Sequence, residues 1–153
     1  MGHTFNINLD WKRTKDFSYE QYNRNHSITF GGQQTLKSSA STEFLGDADL
    51  ANPEELLVSA LASCHMLTLL AIAAKSGYVI DTYHDQASAM LEKNEEGKLA
   101  IISINLKPKI EWKGEKTPSA EQLKSLHDKA HRNCFIANSI KAKVNIESTG
   151  GIA

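Results

Sequence analysis

The sequence is short of the features that would place it in several large classes of protein. Two cysteines in 153 residues are too few for the disulfide framework of a small secreted domain. Seventeen basic against eighteen acidic residues give a formal charge of −1, so no excess of one sign recruits nucleic acid or an acidic membrane surface. The opening residues, Met-Gly-His-Thr-Phe-Asn, lack the apolar core of a secretion signal, and repeats, low-complexity tracts and convincing linkers are missing too. The expectation is a single cytoplasmic domain spanning residues 1–153. Its 41% hydrophobic and 23% charged residues are ordinary for a soluble protein that builds a core without staples.

The longest stretch without a formal charge runs from Leu56 to Ala74, which reaches the length of a membrane-spanning helix. Ser59, Ser63, Cys64, His65 and Thr68 interrupt it, so it reads as the core helix of a soluble protein. Its start is well marked. Asn52 suits the N-cap, Pro53 the first helical position, and Glu55 completes a capping box, while two carboxylates in the first turn favour the helix dipole. Lys75-Ser-Gly77 supplies the stop, which predicts a helix over about 53–76. Because it is apolar nearly all round, it needs cover on most sides, which a small single domain provides poorly. A homodimer is the simplest answer.

Around this helix the pattern alternates. Residues 3–44 form a strand-rich region, with Phe5, Ile7 and Leu9 alternating and Ser27–Phe30 breaking at Gly31-Gly32 before Gln33–Ser39. Two long strands follow over 78–112, joined across Asn94–Gly97. In the second, Ile102, Ile104, Leu106, Ile110 and Trp112 share one face. A second helix begins near Thr117, Pro118 or Ser119 with Leu123, Leu126 and Ala130 as its apolar stripe. A helical turn carries Cys134 to Ile140, and a final strand covers 142–147. Antiparallel strands with segregated helices make the expected class α+β.

The chemistry lies with the two cysteines. A cysteine pair of this kind can be inert core, a structural disulfide, half of a metal site or a redox couple, and each alone reads most simply as core. In the expected compartment a stable structural disulfide is unusual. Cys134 follows His131 and Arg132 and opens a helical turn, conditions that favour a thiolate. Cys64, His65, His131 and Cys134 are metal-ligand types, but neighbours on a helix point about 100° apart, so Cys64 and His65 do not easily share one ion. His26, His84 and His127, like His65, read as solvated or hydrogen-bonded side chains.

These residues resemble the OsmC/Ohr family of thiol-dependent hydroperoxide reductases. The likeness lies in Asn52-Pro-Glu-Glu-Leu-Leu, the alanine-rich run into Ser63-Cys64, the glycine-ended helix, the long hairpin and the late Cys134 with Asn138, and it covers about Tyr19 to Glu147. The family's second cysteine is usually followed by proline, where this chain has Phe135. The resemblance implies antiparallel sheets wrapped around a long central apolar helix in an intertwined homodimer. It implies a peroxidase with no metal and no bound organic cofactor. Cys64 would attack the peroxide O–O bond and become a sulfenic acid, Cys134 would resolve it as a disulfide, and an external dithiol of the dihydrolipoyl type would reduce that disulfide.

The family also places an arginine beside the thiolate and a glutamate that orients the arginine. Of the three arginines here, Arg24 fits the early-strand position better than Arg13 or Arg132, and Glu54 occupies the position after Pro53. Glu54 and Cys64 are separated by about 15 Å along one helix, so Glu54 would serve the site from the other chain of a dimer, or Arg24 would have to bridge a long gap. The expected substrates are organic hydroperoxides, with neither nucleic acid nor membrane as partner. Two rival readings use the same residues: a non-enzymatic binder of a small apolar ligand, and a Cys/His metal protein.

Overall fold

The computed structural model describes residues 1–152, and it divides the chain into two compact units, residues 1–56 and 57–153. The first holds an antiparallel meander of β1 (Ile7–Asp10), β2 (His26–Phe30) and β3 (Thr35–Ser38), in that order, followed by a 3-10 turn at Thr42–Phe44. Ser38 and Ser39 are fully buried, and both bond to the carbonyl of Ala51, through the Ser38 hydroxyl and the Ser39 amide. Gly46 is required here, because a Cβ at that position would overlap the Ala40 carbonyl.

Helix α1 (Pro53–Lys75) starts and stops where the sequence signals lie. The Glu55 amide donates to Asn52 Oδ1 at 2.9 Å and the Asn52 amide to Glu55 Oε2 at 3.0 Å, a reciprocal capping box. At the other end Gly77 takes φ +76°, letting the Tyr78 and Gly77 amides cap the carbonyls of Ala73 and Ala74. By length and composition α1 could cross a bilayer. Its buried residues are Leu61, His65, Leu69 and Ala73, a stripe at four-residue spacing, while Leu67 is 59% exposed.

The second unit departs from the expected long hairpin in a way that shapes the core. The two strands are each broken, into β4 (Val79–Asp85) and β5 (Ser88–Lys93), then β6 (Leu99–Leu106) and β7 (Pro108–Lys113). β4 pairs with β7 and β5 with β6, both antiparallel, but in separate sheets. The bend is fixed by Asp85 Oδ1, which accepts from the Lys107 amide at 2.7 Å next to Pro108, where no amide can continue a ladder. Beside the expected antiparallel pairs the sheets take in two parallel ones. Strand β8 (Lys143–Ile146) joins β6 in parallel, and it is not the last strand, because β9 (Thr149–Ile152) joins β7 in parallel.

Two cores result. Leu61, Ile104, Leu106 and Cys134 form one over the β5-β6-β8 sheet; Leu69, Ala73, Ile110, Trp112, Leu126 and Ala130 form the other over β4-β7-β9. Each buried leucine stabilises by about 1.5–3 kcal/mol relative to exposure. Helix α2 (Ala120–Asn133) opens with a capping box between Ser119 and Gln122 and supplies Leu126 and Ala130. Cys134 is its C-cap, followed by a 3-10 turn at Ala137–Ser139.

Between Leu61 and Leu69 the buried stripe of α1 is polar. His65 Nε2 lies 2.9 Å from His127 Nδ1 on α2, both rings are buried, and the planes are parallel within 2°. Burial, with repulsion from His127 and His131, holds the pKa of His65 down to about 4, and burial, opposed by the charge of Asp128, does the same for His127. An unfolded histidine takes up its proton near pH 6.5, so between pH 6.5 and 4 the unfolded chain binds more protons than the folded one. Stability is therefore fully present above pH 6.5 and is lost as pH falls towards 4, by on the order of 3 kcal/mol for one such histidine. Urea midpoints should fall steeply across that window, and His127→Gln should flatten the slope. Equal slopes in the two proteins would count against this account.

Candidate functional site

The thiols of Cys64 and Cys134 meet in the second unit. Cys64 projects from the half-exposed side of α1, a third of a turn from the buried His65, while Cys134 is fully buried at the end of α2. Cys64 packs against the buried core cluster that contains Cys134, and neither is in a disulfide. Helix α2 must end at Asn133, and the extended backbone of Cys134 (φ −75°, ψ 114°) turns the chain so that the following amides face the sulfurs. The Ala137 amide donates to Cys134 Sγ at 3.4 Å, and the amides of Ile136 and Phe135 favour the anion of Cys64.

Those donors separate the two thiols chemically. Burial pushes the Cys64 thiol up, but the Ile136 amide, the Cys134 thiol, the Phe135 amide and the Thr68 hydroxyl together favour its anion. The outcome lies below the ordinary cysteine value. For Cys134 burial acts upward, opposed by the Ala137 amide and reinforced by the hydrogen bond and negative charge of Cys64, so its thiol stays protonated longer than usual. The Cys64 thiol thus ionises more readily than the Cys134 thiol.

Cys64 opens on a cleft of about 770 Å³ between α1 and the Cys134 turn. Ala60, Leu67, Ala71, Ile72, Phe135 and Ile136 make it apolar, with Lys75 and Asn133 at its polar margin. Phe135 is 81% exposed beside the sulfur. Such a cleft suits an alkyl-bearing molecule better than a small polar one.

Arg24 and Glu54 belong to the first unit. The Arg24 guanidinium donates to the carbonyls of Tyr22 at 2.8 Å and Tyr19 at 2.6 Å and lies 3.9 Å from the centre of the Tyr22 ring, so its direction is fixed by its own neighbourhood. It lines a cleft of about 1020 Å³ in that unit, together with Trp11, Asn23 and Asp47. Glu54 lies in the first turn of α1, and its Oε2 is buried without a hydrogen-bond partner among the described residues. Arg13 is exposed and donates to the carbonyl of Lys15.

The donors to Cys64 were not singled out from the sequence. Thr68 stands four residues after Cys64, one helical turn on, and its hydroxyl also donates to the Cys64 carbonyl at 2.8 Å; that spacing was the available signal. Main-chain amides at 135 and 136 carry no side-chain signature. Among the described residues no group of three or more His, Cys, Asp or Glu side chains is arranged to hold a metal ion.

A family model described as OsmC-like protein matches residues 46–149. Among solved structures, the chain is similar to an OsmC-like protein of unknown function from Vibrio cholerae, with 37% identity over 97% of this chain and 100% of that one and a TM-score of 0.93. The fold is shared with an organic hydroperoxide resistance protein from Elizabethkingia anophelis (16% identity, 100% and 99% covered, TM-score 0.73). It is shared too with the organic hydroperoxide resistance protein OhrB of Bacillus subtilis (18% identity, 97% and 98% covered, TM-score 0.66). No curated protein matches.

Proposed function

Because the chain belongs to the OsmC-like family, we propose that it is a thiol-dependent peroxidase reducing organic hydroperoxides to alcohols. The reading rests on the paired thiols, one favoured as thiolate and the other as thiol, beside an apolar cleft. The Cys64 thiolate attacks the terminal peroxide oxygen, the O–O bond breaks, and the alkoxide leaves as an alcohol once it gains a proton. Cys64 is then a sulfenic acid. The Cys134 sulfur displaces its hydroxyl, which leaves as water with the thiol proton, and an S–S bond forms. An external dithiol, of the lipoyl type, exchanges with that disulfide and restores both thiols. No resident metal or organic cofactor takes part, and the compartment is the cytoplasm.

The working unit in this reading is a homodimer. A helix of 23 residues with four buried leaves apolar surface for a second chain to cover. The buried, unpartnered Glu54 Oε2 favours a cationic donor, and Glu54 lies ten residues before Cys64 on one helix. Glu54 is therefore assigned to the Cys64 site of the opposite chain, where it orients Arg24 against the peroxide. Chains carrying Glu54→Ala and Cys64→Ser, each inactive alone, should regain activity when co-expressed as heterodimers, since one of the two sites recovers both residues. Verified heterodimers as inactive as their parents would remove Glu54 from that role.

The test of the activity is turnover of tert-butyl hydroperoxide with dithiothreitol or dihydrolipoamide, compared with hydrogen peroxide. The expected result is faster turnover of the alkyl peroxide and a Cys64–Cys134 disulfide trapped when reductant is withheld. Hydroperoxide left unreacted by fully reduced protein would sink the proposal.

A further inference from the structure

Away from the thiols, a second set of reactive groups converges on one cleft of the same unit. Ser148, between β8 and β9, places its Oγ 2.8 Å from His127 Nε2, and the other nitrogen of that ring lies 2.9 Å from His65 Nε2. His131, one turn further along α2, has its Nδ1 buried without a hydrogen-bond partner among the described residues. Ser148, His127 and His131 line a cleft of about 580 Å³ together with the aliphatic Leu123, Val144 and Ile146 and the charged Lys124, Asp128 and Glu147.

We propose that this cleft is an acyl-transfer site, in which Ser148 is the nucleophile toward a small carboxylic ester and His127 its general base. The geometry is that of an activated serine: a hydroxyl within reach of an imidazole whose far nitrogen is held by a third group. With the His127 proton on Nδ1 and given to His65, the Nε2 lone pair faces the Ser148 hydroxyl and accepts its proton. His65 is a positioning residue, fixing the tautomer and ring plane of His127. His131, which lines the same cleft, is the donor for the developing oxyanion. Leu123, Val144 and Ile146 take the acyl chain.

In the reaction the Ser148 Oγ–carbonyl bond forms as the hydroxyl proton passes to His127 Nε2. The carbon–oxygen bond to the alcohol then breaks, and the alcohol leaves with that proton. Water attacks the acyl-serine, its proton returning through His127 to Ser148, and the carboxylic acid is released. No redox partner is needed, so this chemistry is independent of Cys64.

The decisive probe is an alkyl fluorophosphonate applied to the unaltered protein, followed by peptide mass spectrometry. A phosphonyl adduct on Ser148, formed with loss of fluoride, is expected; no adduct, or one on another residue, overturns the proposal. Hydrolysis of p-nitrophenyl acetate by the Cys64→Ser protein, where that thiol does not contribute, gives the second readout. Ser148→Ala and His127→Gln should each lower it by about 100-fold or more. His65→Gln should lower kcat with little change in KM, whereas a loosened cleft would raise KM. Nitrophenolate release unchanged by Ser148→Ala would also overturn it.

Discussion

Cys64→Ser should reduce hydroperoxide turnover by about 10⁴-fold or more, the scale reached when a covalent nucleophile is removed. A serine hydroxyl at this position ionises far above neutral pH, and the donors gathered around the sulfur, from Ile136, Phe135 and Thr68, do not close that gap. Cys134→Ser should behave differently. The thiolate remains, so the variant should consume one equivalent of hydroperoxide per chain and stop at a sulfenic acid, which dimedone traps on Cys64. Slow turnover should return with a small monothiol able to reach the cleft. Because Cys134 is fully buried within a core of Leu61, Ile104 and Leu106, part of its effect is structural, and thermal unfolding of the variant separates the two. Steady-state turnover unchanged by Cys64→Ser would exclude the thiol mechanism whatever Cys134 does.

How much of this was legible differs from element to element. Helix α1 was readable at both ends because its caps are local: Asn52, Pro53 and Glu55 need only each other, and Gly77 needs only its own freedom at positive φ. The same holds for Ser119 and Gln122 at the start of α2. The break of the hairpin into two sheets was not readable. Apolar alternation continues on both sides of residues 86–87 and through 107, and the decisive contact, Asp85 with the Lys107 amide, joins residues far apart in sequence. Parallel pairing of β8 and β9 likewise depends on which edges the bent hairpin leaves available.

The histidines teach the same lesson for the sites. His65 and His127 looked like bystanders because a buried imidazole is acceptable only when another group satisfies it, and that group is 62 residues away. Cys64 and Cys134 were found as chemistry-bearing residue types, and their family resemblance paired them. What makes them unequal, the balance between burial and main-chain amides that serve both sulfurs, has no residue signature at all.

Phe135→Pro should raise the Cys64 pKa, and the test of that amide is unusually clean. Proline removes one N–H and little else. The Phe135 ring is 81% exposed, so its loss costs little packing, and Cys134 already has the extended backbone that a residue before proline prefers. A hydrogen bond to a charged group contributes about 1.5–3 kcal/mol. Losing one that aims at the thiolate should slow alkylation of Cys64 at neutral pH by about tenfold, equivalent to ~1.4 kcal/mol. Phe135→Ala keeps the amide and should leave the alkylation profile where it was, while changing the KM for bulky hydroperoxides because the ring lines the cleft. Identical alkylation profiles for Phe135→Pro and Phe135→Ala would assign the lowering at Cys64 to the Ile136 amide, the Cys134 thiol and Thr68 alone.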